Sequence, residues 1–244
     1  MPKKNKKLFS SRSLKHTKST EECLDIISTS SFWTNLLGKI KELLNESNPL
    51  SILCYGLGNF LENIQSKYQL SLLLAIKNEL NVEKCYVYDP TFTDNERIYL
   101  AKIGCDLISH NEEGKRKLSP DTFVYMPHCP KQLLNNLLWA NWDKVVLTTC
   151  IFVCNSIDQT VTSTPNRILN KDAYYIQKVS PYVNEQKFPN DFIYDDIFND
   201  MSLHTFPYEK LNVLEDIFWK RGEEPSYDND VLEFITKFEC MSFR

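Results

Sequence analysis

Glycine is scarce in this chain, six in 244 residues, and histidine is scarcer at four. Two glycines standing close together therefore mark a place where the backbone needs freedom that a side chain would remove. No run of 18 apolar residues occurs, and the basic opening residues 1–7 are followed by no apolar stretch, so neither a membrane-spanning helix nor a signal peptide is predicted. An intracellular protein is expected, cytoplasmic or also nuclear, with no membrane partner. There is no internal repeat, which argues against solenoid and propeller architectures.

Acidic residues are missing from the first 20 positions, which hold seven Lys or Arg; the remainder carries 21 basic against 32 acidic residues. A body of that charge repels a phosphate backbone, so nucleic acid is not an expected partner. The segment 1–19 is too charged and too poor in apolar groups to repay the entropy of ordering, and reads as a disordered basic tail ahead of a single domain over 20–244. The eight cysteines fall mostly in apolar runs such as ILCY and TTCIFVC, as buried thiols do, rather than as a disulfide framework.

What is present is an alternation of strands and helices. Thr20 with Glu21 and Glu22 opens a helical segment, and apolar residues at 32, 33, 36, 37, 40, 43 and 44 form one face of the next. Strands are predicted at 51–55, 85–88, 105–109, 122–126 and 144–149, with helices at 60–80, 94–102 and 130–142 between them. The strands are continuous apolar runs, which places them in a mostly parallel sheet covered on both faces. The fold class is α/β, a three-layer Rossmann-like sheet with an N-terminal helical segment. Later elements are a helix over 166–179, an antiparallel edge strand at 202–206 and a final helix at 231–238.

In such a sheet ligands bind beyond the carboxyl ends of the strands, near the switch point. The unusual residues fall there: Gly56, Gly58 and Asn59, then Asp89 and Thr91, then Asn111 to Gly114, then His128 and Cys129, then Asn155 and Ser156. The Gly-x-Gly turn suits close backbone approach to a nucleotide or S-adenosylmethionine, with the helix N-terminus facing an anion; a tight turn without ligand is the alternative, because the third glycine of the dinucleotide fingerprint is missing. Asp89 stands where a ribose-binding carboxylate would, so Asp89→Ala is expected to weaken binding and spare the fold. Gly58, Asp89, His128 and Asn155 are expected to converge on one crevice. No zinc spacing and no nucleophile elbow is present, which leaves catalysis without a local motif. Cys129-Pro130 has the form of the dipeptide in some haem-responsive proteins, so haem stands as a third candidate cofactor. The acidic segment from residue 190 onward, 13 acids against five basic residues, offers a surface for protein partners.

The segments CYGLGNF, VYDPTFTDNE, GCDLISHNEEGKR, YMPHCPKQLLNNLLWANW, CNSID and IFNDMSLHTFP together resemble the SRR-like (Sensitivity to Red Light Reduced) family over roughly residues 48–220. The resemblance implies a regulatory protein, with relatives linked to circadian clock input, to haem biosynthesis and clock-gene expression, and to microtubule stability. Where the family reads Gly-Asn-Ser-Phe after the fifth strand, this chain has Cys154, Asn155, Ser156 and Ile157. If that glycine admits a ligand, Cys154 obstructs it.

Overall fold

The computed structural model describes residues 18–44 and 49–227. Its sheet has seven strands: β1 (Ser51–Tyr55), β2 (Lys84–Tyr88), β3 (Asp106–Leu107), β4 (Thr122–Met126), β5 (Ile151–Asn155), β6 (Asn184–Lys187) and β7 (Met201–Thr205). The order is β3-β2-β1-β4-β5-β7-β6, parallel from β3 to β5, with β7 antiparallel to both neighbours. Every residue of SILCY and TFVYM is buried, as strands covered on both faces require.

Side chains alternate along each strand and fill two cores. On one face Ile52, Cys54, Val87, Phe123 and Tyr125 pack with α1 (Thr20–Ser28), α2 (Ser31–Leu43), α3 (Ile64–Glu79) and α4 (Asp94–Lys102). On the other, Leu53, Tyr55, Val124, Met126 and Phe152 meet α5 (Lys131–Ala140) and the helices that follow it. The three-layer Rossmann-like architecture is therefore as the apolar runs indicate. Capping boxes start α1 (Ser19 with Glu22) and α4 (Thr93 with Glu96). Ser19 and Lys18 thus belong to the folded body, Lys18 accepting a 2.9 Å bond from Lys67 at its carbonyl; residues 1–17 of the basic tail, and the helix expected at 231–238, lie outside the described residues.

Several expectations are corrected. Residues 144–149 form a short helix, α6 (Lys144–Thr149), because Asp143 caps it by accepting from the amides of Val145 and Val146; the fifth strand is the adjoining apolar run 151–155. Cys154 and Asn155 consequently lie inside β5 and not beyond it. The helix expected over 166–179 is split at Ala173 (φ −150°) into α8 (Asn166–Asp172) and α9 (Tyr174–Val179), since buried Asn135 takes the Tyr175 amide at 2.7 Å. α3 begins at Ile64 instead of residue 60, where Asn63 accepts from Gln65 and Ser66. The third strand shrinks to two residues. The antiparallel strand exists but lies second from the edge; the edge itself is β6, whose sequence NEQK has no apolar signal. Lysines cover the carbonyls of that edge, Lys39 bonding Lys187 at 2.6 Å and Lys210 bonding Val183 at 3.3 Å.

Candidate functional site

β1 runs outward to β2 and β3 on one side and to β4 and β5 on the other, so the switch point lies between β1 and β4. A crevice of about 390 Å³ opens at the carboxyl ends there, its wall including Tyr55, Gly56, Gly58, Asp89, His128 and Cys129. Of the expected ligand-binding residues, Gly56, Gly58, Asp89 and His128 are thus brought together. Asn155 lies behind this wall, its Nδ2 donating to the Cys129 carbonyl at 3.3 Å while its Oδ1 is buried without a partner. Asn59 and Ser156 do not line the crevice. Asn59 serves its own turn, accepting from Glu62 at 3.2 Å, and Ser156 caps α7 (Ile157–Ser163) by accepting from Gln159. Ser156 lines a separate aromatic cavity of about 330 Å³ beside Phe188 and Phe192.

The two glycines are needed where they stand. Gly56 has φ +77°, and a Cβ there would sit 2.3 Å from Cys129 Sγ; Gly58 has φ +67°. Their amides, however, are not free to cradle an anion. Gly56 donates to the Tyr88 carbonyl at 3.3 Å, and Gly58 to Asp89 Oδ2 at 2.8 Å. The other oxygen of Asp89 accepts from the amide of Thr91 (2.9 Å) and from its hydroxyl (2.6 Å). Asp89 is only 5% exposed, so the expected ribose acceptor is instead a buried tie between the turns after β1 and β2. The helix N-terminus expected at this turn is also displaced, since α3 starts six residues after Gly58 and is capped by Asn63.

Tyr88, Pro90, Pro130 and Leu133 make much of the remaining wall apolar, and the polar groups beside them are internally paired. His128 (φ +51°) is exposed and places Nε2 3.0 Å from the Ile197 carbonyl. The Tyr55 hydroxyl donates to Glu112 at 3.1 Å, and Glu112 is held by Arg116 at 2.8 and 3.0 Å. The Cys129 thiol donates to the Tyr55 carbonyl at 3.4 Å, and burial pushes its pKa well above the usual thiol range.

A second constellation went unread in the sequence because its members, Cys154, Glu185 and His204, are spread over 50 residues. His204 of β7 is opposite Phe152 of β5 and Glu185 of β6 in register. Its Nδ1 lies 3.5 Å from Cys154 Sγ and 3.2 Å from the Phe152 carbonyl, and its Nε2 3.3 Å from Glu185 Oε2. Burial alone would lower the imidazole pKa, but the Cys154 and Glu185 contacts outweigh it and raise it from 6.5 to about 10. Burial would raise Glu185, yet bonds from His204, Ser156 and the Asp158 amide hold it at about 2. The Ile157 amide also lies 3.3 Å from Nε2, so a ring that loses its proton exchanges Glu185 for Ile157 as partner. The Cys154 thiol therefore faces His204; it is not part of the crevice wall.

The pair makes stability depend on pH in a defined way. The Glu185 contribution is complete above its ordinary 4.5 and fades as pH falls through 2, while the His204 contribution is complete below 6.5 and fades as pH rises through 10. Urea unfolding of the wild type and of Glu185→Gln should therefore differ most between pH 4.5 and 6.5 and converge toward both extremes. A difference that kept growing up to pH 10 would contradict the protonated ring.

A family model described as the SRR1 domain matches residues 34–205. An SRR1-like protein of Drosophila melanogaster is 29% identical over 219 residues, covering 89% of this chain and 77% of that protein. An SRR1-like protein of Mus musculus is 37% identical over 141 residues, 57% of each. Protein SENSITIVITY TO RED LIGHT REDUCED 1 of Arabidopsis thaliana is 33% identical over 136 residues, 50% of this chain and 48% of the plant protein. The chain thus spans about half the length of the mouse and plant relatives.

Proposed function

The chain belongs to the SRR1 family, and from that membership we propose that it is a regulatory protein which binds a small ligand in the crevice between β1 and β4. The observation that carries the reading is the gathering of Gly56, Gly58, Asp89 and His128 on one wall at the switch point, with the orphaned Asn155 Oδ1 behind it. The spent glycine amides and the Asp89 carboxylate favour a ligand without phosphate, neutral or cationic, with an apolar part to lie against Tyr55 and Tyr88.

The name of the plant relative ties that protein to red light, and an equivalent role here would be signal input to a clock or light pathway. Control of haem biosynthesis and clock-gene expression is the finer form of the same proposal. The protein would act in the cytoplasm or nucleus, as one domain that takes in Lys18 and Ser19 ahead of residues 20–244, with protein partners meeting its acidic segment from residue 190 onward. A second reading is an S-adenosylmethionine-dependent methyltransferase, favoured by the same crevice because that cofactor carries no phosphate. The sheet also departs from the 3-2-1-4-5-6 order of dinucleotide-binding folds by its inserted antiparallel β7.

Isothermal titration with S-adenosylmethionine, S-adenosylhomocysteine, NAD, ATP and haem separates these readings. Binding of the first two with silence from NAD and ATP supports the phosphate-free crevice, and methyl transfer to an acceptor would then favour the enzyme. Tight binding of ATP or NAD would overturn the ligand class. Silence from all five would instead favour a scaffold that binds protein partners without a small ligand or catalysis.

A further inference from the structure

We propose that Cys85 and Cys105 are a peroxide-responsive dithiol that closes reversibly to a disulfide and staples the edge strand β3 to β2. The Sγ atoms are 3.9 Å apart, and the two residues are 0% and 5% exposed. Tyr86 pairs with Asp106 in the parallel β2–β3 register, so the residues just before them face each other one step along the strands. Neighbouring strands are about 4.8 Å apart and aligned residues project to the same face, inside the roughly 4.4–6.8 Å Cα separation that a disulfide spans. The seven described cysteines are all free thiols, so the pair is present here in its reduced form.

The surroundings distinguish the partners. Lys77, in the last turn of α3, holds its Nζ 3.6 Å from where a Cβ on Gly104 would lie, and its charge favours a thiolate at the adjacent Cys105, while Asp106 acts in the opposite sense. The Cys85 contact and Lys77 hold the Cys105 thiol below its usual range, whereas the same contact and burial push Cys85 up. Cys105, the less buried of the two, attacks, and Cys85 resolves.

The chemistry balances with hydrogen peroxide as oxidant. The Cys105 thiolate attacks one peroxide oxygen; an S–O bond forms, the O–O bond breaks, and the departing hydroxide takes up the proton lost from Cys105 as water. Cys85 sulfur then displaces hydroxide from the sulfenic acid, forming S–S and releasing a second water with the Cys85 proton. Two thiols are oxidised by two electrons, and one peroxide is reduced to two waters. The staple would fix the strand leading into the loop that supplies Asn111 and Gly114 to the crevice wall.

The test treats the full-length native chain with hydrogen peroxide, blocks remaining thiols with N-ethylmaleimide after denaturation, and maps tryptic peptides. Expected is the loss of two of the eight thiols, a link between peptides 85–97 and 103–115, and full recovery with dithiothreitol. In Cys85→Ser, dimedone should label Cys105, because the sulfenic acid has no resolving partner. Eight thiols after peroxide, oxidation of Cys105 without the link in the wild type, or a link through the neighbouring Cys54 would each overturn the proposal.

Discussion

His204→Ala is expected to lower the unfolding free energy by about 3–5 kcal/mol, which for a domain of this size is a fall in Tm of roughly 6–20 °C. The ring is fully buried on β7 between β5 and β6, so its removal leaves a cavity. It also strips Glu185 of its charged partner. Glu185 Oε1 already has no partner, so the carboxylate would keep only the neutral donors, Ser156 and the Asp158 amide at 2.9 Å, against its burial. Comparison of His204→Ala, Glu185→Gln and the double variant in urea isolates the coupling. A loss under about 1 kcal/mol for His204→Ala would mean that the buried pair contributes nothing.

Asp89→Ala should cost about 2–4 kcal/mol, contrary to the view of Asp89 as a dispensable rim carboxylate. Two backbone amides, at Gly58 and Thr91, and the Thr91 hydroxyl lose their acceptor together. Water can serve exposed Thr91, but the turn after β1 loses its tie to the turn after β2. Asp89→Asn retains an acceptor oxygen and should cost about half as much or less. Amide exchange at Gly58 is the local readout: it should accelerate in Asp89→Ala and stay near wild type in Asp89→Asn. Unchanged exchange in both variants would remove the structural role. Ligand measurements on Asp89→Ala would then mix binding with folding, so Asp89→Asn is the variant to titrate.

The parallel sheet was legible because its strands are buried on both faces and so read as uninterrupted apolar runs; 51–55 and 122–126 coincide with β1 and β4. The crevice was legible for a geometric reason: parallel strands deliver their following loops to one rim. Legibility ended where one residue's tertiary partner decided the outcome. Asp143 turned a β-branched run into a helix, and Asn135 divided α8 from α9. The strand NEQK had no pattern because an edge strand need not bury a face. Roles at the site were harder than positions. Nothing in YVYDPT says that Asp89 is spent on Gly58 and Thr91, and the partnership of Cys154, His204 and Glu185 exists only through the register of three strands.

Both margins of the sheet are poor templates for another chain. At one, β3 offers two residues; at the other, β6 is polar and lysine ammonium groups occupy carbonyls that an incoming strand would need. A protein partner therefore gains little by lengthening the sheet, and its specificity must come from side-chain complementarity on the helical faces or at the rim. The same margins keep neighbouring copies from zipping edge to edge at high concentration.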